Sequence, residues 1–537
     1  MRIQIYDTTL RDGTQSESVA FSVEDKIRVA RELDQVGVSY IEGGWPGSND
    51  KDAEFFRRAS SLTWHTARLA AFGSTAHPRN LPHHDSNLKA LLEASTPTVT
   101  IFGKSWDLHV TAALKIPLDK NLALIRDSVA YMKSQGREVI YDAEHFFDGL
   151  AANSDYALAT IQAAAAGGAD TIVLCDTNGG SLTSHIRNGI RQAREVVTLP
   201  LGIHAHNDGE LAVANSLAAV ESGVVQVQGT MNGYGERCGN ANLCSVIPNL
   251  ELKMGYTSIG RDRLPTLAST SKFISQIANL PHRKDLPFVG DSAFAHKGGI
   301  HVSAVMKDTA TYEHIAPELV GNARRVLVSE LSGKSNLIYK AREMGMQIGD
   351  DTDLRLALQQ LKKLENEGYE FEAAEASLRV LLETAVHGEQ EFFAIENFRV
   401  VTEMRRDGEV TSEATVKIRL GDRVVHTVAE GDGPVHALDR ALHNALHQFF
   451  EPLRHVQLTD YKVRVLDASQ GTGARVRVLV QQSDGQESWT TVGVSENILQ
   501  ASYLALADGV KYKLLKDRAA VRSTPRDKTG ASFSAGR

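Results

Sequence analysis

The sequence of 537 residues is poor in cysteine. Its three cysteines stand at positions 175, 238 and 244, and no two of them form a CxxC pair. Three cysteines so placed are too few for a disulfide framework. The first residues, Met1–Asp7, have the pattern of a strand and lack the apolar stretch of a secretory signal peptide. We therefore expect a protein of the reducing cytoplasm.

The sequence also lacks long apolar runs and an excess of positive charge. No stretch approaches the roughly 20 apolar residues that a transmembrane helix needs, so we expect no membrane-bound part. The 58 Lys and Arg residues against 66 Asp and Glu residues give a net charge of −8. This balance provides no electrostatic reason to bind nucleic acid or an anionic membrane. A hydrophobic content of 42% is ordinary for globular proteins, and 537 residues are expected to form two or three domains.

Eight short strand-like segments recur in the first 255 residues, with a spacing of roughly 30 residues that is typical of βα units. Helical patterns separate them, for example at Val23–Val36, Leu118–Lys133 and Ser154–Ala166. This alternation predicts an α/β fold, a (β/α)8 TIM barrel. A doubly wound sheet is the competing architecture, but no GxGxxG motif follows the first strand. The strand-like segments are residues 3–7, 38–42, 67–72, 97–102, 138–143, 170–175, 201–205 and 225–229.

The rest of the chain changes character twice. Residues 256–388 are mainly helical, and we interpret them as a helical linker or lid subdomain with an amphipathic helix at Leu354–Glu367. Residues 389–518 contain two sets of alternating strand patterns, followed by helices at Pro434–Phe450 and Ser495–Leu515. They predict a C-terminal α+β domain built from two β-β-β-α units. Residues 519–537 are rich in Ser, Arg, Gly and Lys, and we expect them to be a disordered tail.

A candidate metal site follows from His204 and His206, whose side chains share one face of the seventh strand. In a TIM barrel, functional residues collect at the carboxyl ends of the strands, and Asp12 follows the first strand. Asp12, the two histidines and one amide oxygen form a set that suits Mn²⁺, Mg²⁺, Zn²⁺ or Co²⁺. Two half-exposed histidines at a strand end are the alternative. Arg11 is a candidate for stabilising an enolate or alkoxide, or a structural ion-pair partner.

Three separated motifs resemble those of the α-isopropylmalate, homocitrate and citramalate synthase family, a group of DRE-TIM metallolyases. They are Tyr6–Gln15 (YDTTLRDGTQ), His204–Asp208 (HAHND) and Asn232–Ala241 (NGYGERCGNA). The resemblance covers about residues 1–520, because the duplicated C-terminal unit is similar to the leucine-regulated domain of that family. The segments Glu42–Asn49 (EGGWPGSN) and Gly471–Val478 resemble the citramalate branch.

The resemblance implies specific roles for individual residues. Arg11 would stabilise the enolate of acetyl-CoA, with Gln15 nearby in the substrate site. Glu144 would deprotonate the acetyl methyl group, and Thr177 would bind the carboxylate of a 2-keto acid. The implied metal ligands are Asp12, His204, His206 and Asn240, and the implied catalytic pair from a partner subunit is His301 and Tyr312.

The activity that the resemblance implies is the condensation of acetyl-CoA with pyruvate and water to citramalate and CoA, a step toward isoleucine by way of 2-oxobutanoate. It also implies a homodimer or a higher homo-oligomer, with isoleucine or leucine as a candidate effector at the C-terminal domain. The nearest alternatives use 2-ketoisovalerate or 2-ketoglutarate and give isopropylmalate or homocitrate. A metal-dependent carbon–carbon lyase and a non-catalytic amino-acid sensor are alternatives from other classes.

Overall fold

Eight parallel strands close into a barrel in chain order, with β1 paired to both β2 and β8. The computed structural model describes residues 1–349 and 352–523. The strands are almost fully buried, because helices cover the outside of the barrel and side chains fill its interior. The predicted TIM barrel is confirmed, and each predicted strand is present. The strands are Gln4–Asp7 (β1), Tyr40–Gly44 (β2), Arg68–Ser74 (β3), Thr98–Lys104 (β4), Glu138–Glu144 (β5), Thr171–Asp176 (β6), Leu201–Ala205 (β7) and Gln226–Gly229 (β8).

The helices around the barrel begin and end at local sequence signals. The first begins at a capping box formed by Ser22 and Asp25, and it ends at Gly37, whose φ of 94° is left-handed. It therefore has the bounds expected from the sequence. The helices are Val23–Val36 (α1), Asp50–Ala59 (α2), Ser86–Glu93 (α3), Leu118–Ser134 (α4), Phe146–Ala152 (α5), Ser154–Ala166 (α6), Thr183–Val196 (α7), Ala212–Glu221 (α8), Leu243–Pro248 (α9) and Leu267–Ile277 (α10).

The chain forms two compact units whose boundaries differ from the expected ones. The first unit comprises residues 1–294 and 314–324, so the segment 256–294 belongs with the barrel and not with a helical linker. The reason is the apolar face of α10, whose Leu267 and Ile274 are buried in the same core as the barrel strands. Thr270 of α10 also donates a hydrogen bond to Glu32 of α1 at 2.6 Å.

The second unit comprises residues 295–313 and the chain from Arg325 onward. It contains two three-stranded antiparallel sheets, each followed by one helix, so the predicted pair of β-β-β-α units is confirmed. In chain order its elements are Ala295–His296 (β9), Gly299–Val305 (α11), Arg325–Val326 (β10), Lys334–Glu343 (α12), Arg355–Asn366 (α13), Glu375–His387 (α14), Ala394–Met404 (β11), Val410–Leu420 (β12), Arg423–Gly431 (β13), Pro434–Leu446 (α15), Gln457–Val465 (β14), Val476–Ser483 (β15), Ser488–Ser495 (β16) and Ile498–Ser523 (α16).

The helices that precede the first of these sheets share a core with the second sheet. Leu337 of α12, Leu361 of α13 and Leu378 of α14 are buried in one cluster with Val492 and Val494 of β16. The helices before residue 388 therefore pack in one core with a strand that follows it. The last helix continues through residues 519–523, which the sequence analysis assigned to a disordered tail. Residues 524–537, and the expectation of disorder for them, lie outside the described residues.

Within residues 1–349 and 352–523, no helix is both long enough and apolar enough to cross a membrane.

Asp508 of α16 is a carboxyl group enclosed by the second unit. Its Oδ2 accepts a hydrogen bond from Ser377 Oγ of α14 at 2.8 Å, and Ser377 Oγ accepts one from the Val492 backbone at 3.1 Å. Burial raises the pKa of Asp508 from 3.8 to about 6, although Ser377 and Lys511 oppose the shift. Because this pKa is higher in the folded state, the charge of Asp508 destabilises the folded protein as the pH rises from about 4 to about 6.

We expect Asp508→Asn to stabilise the second unit at neutral pH by about 1–2 kcal/mol, because asparagine keeps the hydrogen bond from Ser377 without the charge. The gain should disappear as the pH falls toward about 4. Hydrogen exchange of α14 and α16, followed as a function of pH, measures this gain in stability. Asp517→Asn, on the same helix, is the matched control and should not stabilise the protein. A gain for Asp508→Asn that does not depend on pH would contradict the prediction.

Candidate active site

A cavity of about 200 Å³ lies at the carboxyl ends of the barrel strands, where TIM barrels carry their active sites. The structure brings together here most of the site residues named from the sequence. Those that line the cavity are Arg11, Asp12, Gln15, Glu144, Thr177, His204 and His206. Its other lining residues include Trp45, Phe72, Phe102, Asp142 and Cys175.

Arg11 is held between two buried carboxylates. It forms an ion pair with Asp12 through Nη1, and its Nε donates to Glu42 Oε2 at 2.6 Å. Glu42 also accepts a hydrogen bond from the Tyr6 hydroxyl at 2.8 Å, and the guanidinium carbon lies 3.8 Å from the centre of the Phe72 ring. Burial raises the pKa of Glu42 although Arg11 lowers it. The guanidinium does not lose its proton, so the cavity contains a fixed positive charge.

His204 of β7 and His206, which directly follows the strand, have their Nε2 atoms 3.4 Å apart. His204 Nδ1 lies 2.8 Å from Oε1 of Gln228, its neighbour on β8. Gln228 is oriented by Asp142, whose Oδ1 accepts a hydrogen bond from Gln228 Nε2 at 3.0 Å. Because the Gln228 oxygen can only accept, His204 Nδ1 donates to it, which leaves Nε2 as the ring nitrogen that faces His206 and Asp12.

Asn240 reaches this pair because the loop that carries it folds back along β7. The Ala241 backbone donates to Ala205 O at 3.0 Å. Asn240 Nδ2 then lies 3.1 Å from His204 Nε2 and 3.3 Å from Asp12 Oδ2.

The neighbouring loop residues explain why Asn240 takes this place. A Cβ atom at Gly235 would lie 2.0 Å from Asn240 Oδ1, so a residue with a side chain does not fit there. Asn242 has a different role, because its Oδ1 accepts a hydrogen bond from the Cys244 backbone at 3.0 Å and caps α9. Of these two asparagines, Asn240 is the one beside the histidines.

The donor set fits a divalent cation in its chemistry. Burial and the neighbouring His204 lower the pKa of His206 to about 3, so this imidazole is neutral at physiological pH. Burial raises the pKa of Asp12, but Arg11 and the histidines outweigh it and lower the pKa overall. Asn240 Oδ1 is buried and has no hydrogen-bond partner among the described residues. A carboxylate, two imidazoles and such an amide oxygen are suitable ligands for a divalent ion.

The acidic and imidazole groups alone do not complete the candidate set. Within residues 1–349 and 352–523, no three His, Cys, Asp or Glu side chains form a closed cluster of metal ligands. Arg11 occupies one oxygen of Asp12, and the other lies 3.5 Å from His204 Nε2. Asn240 therefore stays the predicted fourth ligand.

Glu144 and Thr177 line the same cavity, after β5 and after β6. Glu144, at the end of β5, forms an ion pair with Lys104, at the end of β4. The Thr177 hydroxyl oxygen accepts a hydrogen bond from the His145 backbone at 2.9 Å. Its own hydrogen can then be donated to a ligand in the cavity.

His301 and Tyr312 lie in the second unit, where the structure brings them together. Their rings stack with centroids 4.2 Å apart, and Tyr312 is 46% exposed. Their expected position over the active site of a partner subunit stays a prediction.

Gln228 and Phe72 belong to the site but were not predicted from the sequence. A signal was available for Gln228, because Gln226 and Gln228 are spaced by two in a buried strand, like the histidines of β7. No such signal exists for Phe72, since a buried phenylalanine in a barrel strand is an ordinary core residue.

Comparison with known proteins agrees with this geometry. Residues 2–273 match the HMGL-like family. The chain belongs to the HMGL-like family. Behind this HMGL-like barrel, residues 288–369 match the homocitrate synthase post-HMGL domain-like family, and residues 372–514 match the LeuA allosteric (dimerisation) domain.

Relatives of the HMGL-like chain are similar over nearly its full length. The (R)-citramalate synthase of Geobacter sulfurreducens is 54% identical over 516 residues, which are 96% of this chain and 98% of the relative. The (R)-citramalate synthase of Aquifex aeolicus is 52% identical over 519 residues, with the same shares. The 2-isopropylmalate synthase of Methanocaldococcus jannaschii is 30% identical over 522 residues, 96% of this chain and 95% of the relative. The resemblance found in the sequence motifs is confirmed.

We expect Gln228→Leu to weaken divalent metal binding roughly 10- to 100-fold, because His204 loses the acceptor that fixes its tautomer. Equilibrium dialysis with Mn²⁺ or Zn²⁺ and elemental analysis measures this independently of activity. The matched control is Gln226→Leu, because Gln226 is buried on the same strand but bonds to Gln4 at 3.2 Å. His204→Ala should retain no ion. Wild-type affinity in Gln228→Leu would refute the assigned tautomer.

Proposed function

We propose that this protein is an (R)-citramalate synthase, which condenses acetyl-CoA with pyruvate and water to citramalate and CoA. The observation that carries the proposal is similarity over nearly the full length to five (R)-citramalate synthases, with 43–54% identity. The 2-isopropylmalate synthase of Methanocaldococcus jannaschii, with 30% identity, is more distant than these five. The site contains a group suited to each step of the reaction.

Asp12, His204, His206 and Asn240 would hold the divalent cation, and their O/N donor set admits Mn²⁺, Mg²⁺, Zn²⁺ or Co²⁺. When bound, the ion supplies a Lewis acid that polarises the keto carbonyl of pyruvate. The Thr177 hydroxyl, held by the His145 backbone, donates to the pyruvate carboxylate.

Glu144 removes a proton from the methyl group of acetyl-CoA, and the electron pair of the C–H bond passes into the enolate. A thioester methyl group is far less acidic than a carboxylic acid, so this step depends on stabilisation of the enolate oxygen. Arg11 supplies that stabilisation, because Asp12 and Glu42 hold its guanidinium at the cavity. Gln15 lines the same cavity and orients the substrate.

The enolate carbon then forms a bond to C2 of pyruvate, whose carbonyl oxygen becomes the alkoxide and takes up a proton. Water cleaves the thioester and releases CoA, which makes the reaction irreversible. We assign the stacked His301 and Tyr312 to the active site of the partner in a homodimer, in agreement with the LeuA dimerisation domain that follows them.

We expect thiol release from acetyl-CoA to be fastest with pyruvate, with kcat/KM roughly 10- to 200-fold higher than for 2-oxobutanoate, since one methylene group discriminates by this amount. The assay uses the metal-loaded protein with pyruvate, 2-oxobutanoate, 2-ketoisovalerate and 2-ketoglutarate, and a thiol reagent measures CoA. A preference for 2-ketoisovalerate would reassign the protein to isopropylmalate synthesis.

A regulatory site in the second unit is a further part of the proposal. A cavity of about 930 Å³ lies between α15 and residues 453–461, where the two β-β-β-α units meet. It combines apolar and charged lining residues, as a branched amino acid requires. Among them are Val435, Leu453, Leu458, Asp439, Arg440 and Arg454.

We expect isoleucine or leucine to bind the full-length protein in this cavity, and calorimetry measures the binding. Asp439→Asn should weaken it by roughly tenfold or more, because a charged partner of the ligand's ammonium group is lost. The matched control is Asp432→Asn, since Asp432 is fully exposed just before the same helix. If neither amino acid binds, the regulatory assignment fails.

A further inference from the structure

Two cavities meet at the ring of Phe102. One is the catalytic cavity of about 200 Å³. The other has a volume of about 460 Å³ and lies between the ends of β3 and β4 and the start of α3, where Asn87 and Lys104 line it. Phe102 lines both cavities. Phe102 is therefore a wall that the catalytic cavity shares with a larger one.

Trp45 is the second ring of this wall. Its indole meets Phe102 edge-on with centroids 5.5 Å apart, and it meets Phe72 in the same way at 5.9 Å. Phe72 and Phe102 stack on each other at 5.2 Å. Trp45 lines the catalytic cavity, and Asn87, which is bonded to it, lines the second cavity. We call Trp45 and Phe102 the aromatic partition.

Trp45 is held by two hydrogen bonds, one at its backbone and one at its indole ring. Its backbone N–H donates to Asp52 Oδ2 at 2.9 Å, and its Nε1–H donates to Asn87 Oδ1 at 2.7 Å. Asn87 is fixed in turn, because its Nδ2 donates to the Ser74 carbonyl at 2.7 Å. A Cβ atom at Gly73 would lie 2.9 Å from Asn87 Oδ1, which shows how closely β3 packs against this amide.

The partition is the part of the catalytic cavity that suits an apolar group. The lining on the other sides is mostly charged or polar, including Asp12, Asp142, Glu144 and Thr177. The aromatic surface begins directly beside Arg11, whose guanidinium lies over Phe72. A keto acid whose oxygens bind the polar groups therefore directs its alkyl side chain toward the rings.

On the basis of the proposed function, we infer that the aromatic partition limits the length of the keto acid's side chain, with Asn87 as the residue that positions Trp45. A longer side chain must displace rings that are held by hydrogen bonds and by each other. Without the partition, the side chain gains the cavity of about 460 Å³ behind it. The protein should then accept keto acids that are several carbons longer than pyruvate, and not only the next homologue.

The test compares kcat/KM for pyruvate with kcat/KM for 2-oxohexanoate, a linear keto acid three carbons longer. Trp45→Ala should lower this ratio at least tenfold. Asn87→Leu should lower it several-fold, because Trp45 loses its acceptor. Asn87→Asp keeps an oxygen for the indole N–H but loses the donor to the Ser74 carbonyl, so it should lower the ratio less than Asn87→Leu does. The matched control is Trp64→Ala, whose indole donates to the Ala59 carbonyl at 3.2 Å and lines neither cavity, so its ratio should not change.

The outcomes separate this inference from the proposed function. If the wild type does not release CoA with pyruvate, the proposed function fails and the inference falls with it. If the wild type is active and a folded Trp45→Ala protein keeps the wild-type ratio, the inference alone is overturned. A raised KM for acetyl-CoA with an unchanged ratio also overturns it. If Trp45→Ala does not fold, the ratios of Asn87→Leu and Asn87→Asp decide.

Discussion

The guanidinium of Arg11 holds together the carboxylates at the end of the barrel. Asp12, Glu42 and Asp142 are all buried there, and burial, together with the charge of Glu42, raises the pKa of Asp142 well above its ordinary value. Three such groups repel each other unless a positive charge lies between them. Arg11 pairs with Asp12 and Glu42, so Asp12 is ionised and oriented next to His204. The arrangement of the candidate metal ligands therefore depends on Arg11, a residue outside that set.

The contacts that start at Arg11 continue beyond the candidate metal ligands. Asp142 orients Gln228, and Gln228 sets the tautomer of His204. Removal of any member leaves a buried polar group without a partner, which is costly in a medium of low dielectric constant. The site thus has little freedom to rearrange. Small changes at Asp142 or Gln228 are therefore expected to affect His204.

The second unit has a different organisation, in which the linker helices and a sheet of the following domain share one core. Helices α12, α13 and α14 pack on β16, a strand of the domain that matches the LeuA allosteric domain. Because Leu378 and Val492 belong to the same buried cluster, a truncation at residue 388 would expose apolar surface on both pieces. Point substitutions in the full chain are therefore the appropriate way to study an effector.

Much of the first unit could be predicted from the sequence. The eight strands and helix α1 followed from apolar periodicity and from end signals such as Ser22 and Gly37, which act within a few residues of chain. The shared orientation of His204 and His206 followed from the two-residue period of a strand. In the second unit the two β-β-β-α units were foreseen for the same reason.

What the sequence determined by itself was local: the type of each element, the face on which a side chain lies and the motifs that mark the family. The tertiary structure decided which distant residues are neighbours. It placed Gln228 against His204, and Trp45 against Phe102. These pairs depend on strand register, on loop closure and on packing between segments far apart in the chain. Such contacts leave no periodic pattern in the sequence, because each partner alone resembles an ordinary buried residue.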